Sequence, residues 1–364
     1  MTLIELISIA VRKALSMQRG DGAFPAGHNG PYLDPETPVR NTAHWLYILA
    51  HFSKESQDEE SQTAAHRACD YLLSRAARPM QASFYCRTNP EKDFCNGLMG
   101  QAWAMEGLIA AAKQLGREDA LEAAREVFFM HPWLEKIAIW RRVAVDGSYL
   151  PPDVTFNHQL WFAAIASNLG DLEASRRSKK FLDDVGQHVQ LYGNGVVHHQ
   201  SRLGPLSTYG SHGMIGAIKG VLSEAMRLRA GSALYSKSVG YHSFNLYAFA
   251  MLKKQFHGHP FWYTAKFAKM LRVAVSDQFV GTLDRSAYGW PYNPSGIEFA
   301  FVGEAFSLGH DYCQDWINKQ FERTYSSGTG ALLTRDVPDP NTSAARIYEA
   351  LRLSGDYNLQ IGNR

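Results

Sequence analysis

The chain has 364 residues, 45% of them hydrophobic and 12% aromatic, which supplies a sizeable core and excludes a disordered or low-complexity polypeptide. Thirty-seven lysines and arginines stand against 35 aspartates and glutamates, so the formal charge of +2, on scattered residues, implies neither a nucleic acid nor an anionic membrane as partner. Cys69, Cys86, Cys95 and Cys313 have no CxxC or CxxH spacing and are too few for a disulfide framework, so reduced thiols are expected.

In chain order, the first stretch, MTLIELISIAVRKAL, places Glu5 inside its apolar run and Arg12 and Lys13 after it, the reverse of a signal peptide. No later stretch has the length of a membrane span, and a cytoplasmic protein is expected. After the Gly-rich stretch GDGAFPAGHNGPY, from Gly20, most long segments have helical period, and they come in two kinds. Thr42 to Phe52 is apolar or small nearly all round, and Thr63 to Ser74 is amphipathic with a charged face. Gly97 to Leu115 carries charge only at Glu106 and Lys113 and reads as the clearest buried helix, and Arg117 to Phe129 is amphipathic again. Buried Phe156 to Leu169 precedes amphipathic Leu172 to Val189, and buried segments follow at Gly213 to Ala225, Phe244 to Leu252 and Gly296 to Leu308. Outer amphipathic helices around an inner buried ring are what this alternation builds. The expected fold is all-α, an (α/α)6-type barrel or toroid, and the lack of a Pro- or Ser-rich linker predicts one domain over residues 1 to 364. One irregularity is expected, because Leu228 to Gly240 is too short for a full outer helix and two loops.

Each buried segment is introduced by a loop dense in Gly, Pro, His, Asn and aromatics: VRNTAHW from Val39, DFCNGLMGQAW from Asp93, PPDVTFNHQLW from Pro151, STYGSHG from Ser207, GYHSFN from Gly240 and YGWPYNPSGIE from Tyr288. If the buried helices run parallel, these loops meet at one mouth. It would hold His44, Asn96, Gln101, Asn157, His158, Tyr209, His212, His242, Tyr292, Asn293 and Glu298 beside Trp45, Trp103, Trp161 and Trp290. GDGAFPAGHNGPY, with His28, and LYGNGVVHHQ, from Leu191, would fold over the same face. Polar groups over aromatic walls suit a sugar, bonding its hydroxyls and stacking on its ring faces. Helix N-termini would add a positive potential for carboxylates such as those of uronic acids.

Simpler roles compete at every position: Asn41, Asp153, Thr155 and Ser211 are also ordinary helix caps, and a single His or Trp in such a helix is also ordinary core. His198 and His199 are adjacent without further metal-ligand spacing, so no metal site is assigned. No P-loop, no GxGxxG with a following acid and no GxSxG is present, and no cofactor is expected. The expected partner is a small-molecule or oligosaccharide substrate, with homo-oligomerisation open.

With these loops, the chain resembles the six-hairpin glycosidase-like group of (α/α) toroid proteins, which includes unsaturated glucuronyl hydrolases and, more distantly, sugar epimerases and uronate lyases. DGAFPAGHNG resembles the Gly-rich turns between toroid hairpins, and NGLMGQAW resembles an inner-helix start of these hydrolases. PYNPSGIE is similar to loops of glucuronyl epimerases, and the Asn157-His158 pair with Trp161 is similar to Asn/His/Trp segments of toroid lyases.

Hydrolysis of a glycosidic bond needs a carboxylic acid as proton donor and a carboxylate to activate water. Asp93 and Asp153, each just before a buried helix, are the expected pair for a glycoside hydrolase acting on uronic-acid-containing oligosaccharides, with Asp21 in reserve. A uronate lyase or a C5- or 2-epimerase would instead move a carbon-bound proton with His or Tyr, for which His158, His212, Tyr209, Tyr241 and Tyr292 are the parts. A non-catalytic sugar-binding or scaffold protein is the third reading, and it gains if Asp93 and Asp153 prove to be engaged by arginines.

Overall fold

The computed structural model describes residues 1–201, 231–290, 292–325 and 335–359. Helix α1 (Leu3–Met17) opens with a capping box: the Thr2 hydroxyl accepts from Glu5 N–H at 3.2 Å, and Glu5 Oε2 accepts from Thr2 N–H at 2.7 Å. Three outer helices have the charged faces the sequence predicts: α3 (Glu59–Leu73), α5 (Glu118–Met130) and α7 (Leu172–His188). Asp58 and Asp171 cap α3 and α7 by accepting from first-turn N–H groups.

The inner helices are α2 (Val39–Ser56), α4 (Gly97–Leu115), α6 (Phe156–Ala166), α9 (His242–Gln255) and α12 (Ser295–Ala305), the intervening α8 (Gly231–Gly240), α10 (Ala265–Arg272) and α11 (Asp277–Leu283) being shorter. α4 is buried from Gly97 through Ala111, since it has no face that gains from water. Gly107 lets α2 and α4 approach closely: a Cβ there would lie 2.7 Å from the Ala43 carbonyl oxygen.

The inner ring is closed by a sixth element that the periodicity did not single out. After outer helix α13 (His310–Thr324), the short α14 (Pro340–Ala345) runs into a 3₁₀ segment, Arg346–Arg352, which packs against both α12 and α2. Its buried Arg346 and Glu349 break the apolar pattern by which a buried helix is recognised. The expected inner segment Gly213 to Ala225 lies outside the described residues.

A small antiparallel sheet, unanticipated from the sequence, is inserted between α5 and α6: β1 (Trp133–Leu134), β2 (Ile139–Val143) and β3 (Tyr149–Pro152), in that order. Its first and third strands are too short to carry a strand signal. All four cysteines are buried and unpaired. No helix among the described residues is long and apolar enough to cross a membrane.

Candidate active site

The loops before α4, α6, α9 and α12 meet at one end of the barrel around a cavity of about 250 Å³. Its wall takes Asp93, Asn96 and Trp103 from the α4 region, Asp153, Asn157 and His158 from the α6 region, Tyr241 and Phe244 from the start of α9, and Tyr292 and Asn293 before α12. Nine of the candidate site residues thus share one concavity: Asp93, Asn96, Trp103, Asp153, Asn157, His158, Tyr241, Tyr292 and Asn293.

The two aspartates are bound very differently. Asp93 Oδ1 accepts from Arg87 Nη2 at 2.8 Å and from Gly97 N–H at 2.9 Å, and its Oδ2 accepts from Arg142 Nη1 at 2.6 Å. Burial pushes the Asp93 carboxyl up, but the two guanidinium charges and the N–H outweigh it and hold the group below the usual carboxylate range. Asp153 Oδ2 accepts from Leu98 N–H at 3.1 Å and lies 2.7 Å from His158 Nδ1, while Oδ1 accepts from Thr155 N–H at 3.1 Å. Burial again opposes ionisation, and His158, Arg142 and the Leu98 N–H overcome it, so that Asp153 lies far below the usual range.

An ionised Asp153 can only accept, so Nδ1 of His158 carries the hydrogen between them, and Nε2 is the ring nitrogen through which a proton can be exchanged with a substrate. Gly97 makes room for the pair. Its φ is +58°, and a Cβ would stand 2.4 Å from Asp153 Oδ2 and 2.8 Å from His158 Nδ1.

Asp34, on the same wall, is held below its usual range: burial raises it, but hydrogen bonds from Lys92 and Asn89 prevail. The cavity is bordered by the cations Arg87, Lys92, Arg142, Lys237 and Arg346. Lys237 forms no salt bridge among the described residues, and its ammonium sits 4.6 Å from the Tyr32 ring centroid and 5.6 Å from that of Tyr288. Burial, with the charge of Lys92, brings it down to about 8. His199 also lines the cavity, its ring 4.8 Å from that of Tyr241; burial and the nearby Lys237 push it well below the ordinary histidine value.

The remaining residues singled out in the sequence do not line this cavity. His28 is tied to Asp339 and Pro338 at the rim. His44 stacks on Tyr348 at 4.3 Å, Trp45 stacks on Phe24 at 5.7 Å, and Trp161 stacks on Phe244 at 4.4 Å, all as core. The Gln101 amide ties Phe84 and Cys95 backbone to α4. His242 is enclosed between Val197 N–H and the Met270 carbonyl. Trp290 donates to Asp284 and stacks on Trp316. Glu298 is fully buried against Arg346 at 2.8 Å. Tyr209 and His212 lie outside the described residues.

Several wall residues escaped the sequence reading. Arg142 comes from β2, Arg87 and Lys92 from a loop before α4, and Arg346 from the segment that closes the ring. Arg142 and Arg87 had no local signal, since a surface strand or loop arginine looks the same in sequence. Among the described residues no group of three or more His, Cys, Asp or Glu is placed to hold a metal ion.

This ring of inner and outer helices, with its polar mouth at the inner N-termini, is the six-hairpin (α/α) toroid fold. It superposes on cellobiose 2-epimerase from Spirochaeta thermophila with a TM-score of 0.62 at 13% identity, covering 96% of this chain and 97% of that one. An inactive variant of an α-1,6-mannanase from Salegentibacter, in complex with α-1,6-mannotetrose, matches at 0.59 and 11% identity, covering 96% and 98%. No family model matches the chain. Archaeal glycosylation protein Q of Haloferax volcanii is 40% identical over 372 residues, 99% of each sequence, and the chain belongs to that protein's family.

Proposed function

We propose that the protein is a carbohydrate-active enzyme that moves a carbon-bound proton of an anionic sugar, an epimerase or isomerase in type, with His158 as the base. The observation that carries this reading is the 2.7 Å contact between Asp153 Oδ2 and His158 Nδ1 at the cavity wall. In the step we envisage, Nε2 of His158 takes the proton from a carbon beside a carbonyl or carboxylate, and the C–H electron pair moves onto that group's oxygen as an enolate forms. Tyr241 and His199 lie on the same wall as groups through which a proton is returned. Return to the opposite face inverts the centre.

The excess of cations at the wall supports a substrate carrying a carboxylate, such as a uronic acid, with Lys237 the one lacking an acidic partner among the described residues. The relative's name supports a place in glycan assembly. The hydrolytic alternative requires a protonated carboxyl at this mouth, and the three lining carboxyls, Asp34, Asp93 and Asp153, are all drawn toward the ionised form.

Incubating the protein with uronic acids and neutral aldoses in deuterium oxide, followed by proton NMR, tests the proposal. Solvent deuterium should enter the carbon beside the carbonyl or carboxylate without chain cleavage. New reducing ends from uronic-acid oligosaccharides, with no deuterium incorporation, would sink it in favour of hydrolysis.

A further inference from the structure

The barrel has a second cavity, of about 210 Å³, at its other end, lined by the last turns of the inner helices and by Arg352. On α4 its Lys113 lies 16 residues beyond Gly97 of the first mouth (113 − 97), roughly 24 Å along a helix. The two cavities are therefore separate sites. Lys113, Lys254 and Arg352 supply three positive charges to the second, and among the described residues Glu106 is its only lining acid. Glu106 is already engaged by Arg352, which also donates to the Tyr247 hydroxyl at 3.0 Å.

Lys113 and Lys254 form no salt bridge among the described residues. Lys254 places its ammonium 4.7 Å from the Phe301 ring centroid. The acid that acts on it at a distance, Glu304, is occupied by hydrogen bonds from Ser354, Gly355 and Tyr357. A lysine in a last helical turn also answers the negative end of the helix dipole. Lys253, partly buried in the same turn, already does that and donates to the His257 carbonyl. Lys113 and Lys254 are exposed at the edge of the cavity beside a third cation, and desolvation together with the charge of Arg352 draws both ammonium groups below the ordinary lysine value. An anion bound among these like charges would offset their mutual repulsion. Ile109, Ile165, Met251 and Phe301 add an apolar face to the wall, beside the polar His51, Asn168 and Gln255.

We propose that this second mouth binds a small organic anion, a carboxylate or phosphate on a compact apolar body, held by Lys113, Lys254 and Arg352. Benzoate, phenyl phosphate and inorganic phosphate, titrated calorimetrically into the full-length protein at constant ionic strength, test it. The two aromatic anions should bind at millimolar concentration and raise Tm by about a few degrees at tenfold excess over Kd. Comparison of the two identifies the preferred headgroup. Binding should weaken at least about tenfold in the Lys113→Gln/Lys254→Gln double variant, the loss of roughly one charge-assisted contact, and persist in Lys237→Met, which alters only the first mouth. Equal binding to wild type and double variant, or inorganic phosphate binding as tightly as both aromatic anions, would overturn the proposal. Should the double variant not fold, the anomalous signal of 4-bromobenzoate in wild-type crystals decides. A peak in the second cavity supports the site, and a peak elsewhere or none refutes it.

Discussion

Asp153 and His158 stand five residues apart across the start of α6, and Oδ2 of one meets Nδ1 of the other at 2.7 Å. The same carboxylate oxygen accepts the Leu98 N–H, so it is anchored to α4 as well, and the imidazole is oriented by two inner helices at once. That rigidity suits a base whose lone pair must meet one carbon-bound proton.

Asp153→Asn puts an amide where an acceptor was, and the amide can donate to Nδ1 and reverse the tautomer. The kcat for proton transfer should fall by about a hundredfold or more while substrate affinity changes little. Steady-state kinetics, with the tautomer read from the ¹⁵N shifts of His158, check this. An unchanged kcat would contradict the orienting role.

Gly97→Ala should reproduce much of that loss without touching a charged group. The added Cβ collides with both members of the pair, and φ at +58° adds strain of about 1 kcal/mol. A crystal structure of the variant should find Asp153 and His158 driven apart. Full activity would mean that their spacing is immaterial.

Lys237 gives a pH signature. It is a cation at neutral pH and loses its charge as pH rises through about 8, so KM for a carboxylate-bearing sugar should climb above that pH while KM for a neutral sugar stays level. Lys237→Met should raise KM for the anionic sugar about tenfold at pH 7 and flatten its pH dependence. KM profiles from pH 6 to 10 decide it.

Beneath the cavity, Arg346 joins Glu298 and Glu349, all three nearly inaccessible. Burial and the neighbouring Glu349 carboxylate push Glu298 well above the ordinary carboxyl value, and Arg346 opposes them. Removing the arginine leaves two buried carboxyls facing one another, so Arg346→Met should destabilise the fold by roughly 3 kcal/mol or more. Urea unfolding measures it, and a loss under about 1 kcal/mol would show that the cluster is dispensable.

The helical architecture is legible in the sequence. Gly97 to Leu115 has no face that water favours, Leu172 to Val189 has one, and such alternation can be buried only as an inner and an outer layer. The sequence also marks the loops that make the mouth, because Asn96, Asp153, His158 and Tyr292 all stand at the starts of buried helices. The surroundings of those residues come from tertiary contacts that the sequence does not display. Asp93 and Asp153 occupy equivalent places in the sequence pattern, yet Arg87 and Arg142 clamp the first, while the second turns to His158. Tertiary contacts also place His44, His242 and Glu298 in the packed interior and close the ring with Arg346–Arg352. A helical period reports which face of a segment avoids water, but the proton affinity and the task of a buried side chain are set by charges brought beside it from distant parts of the chain.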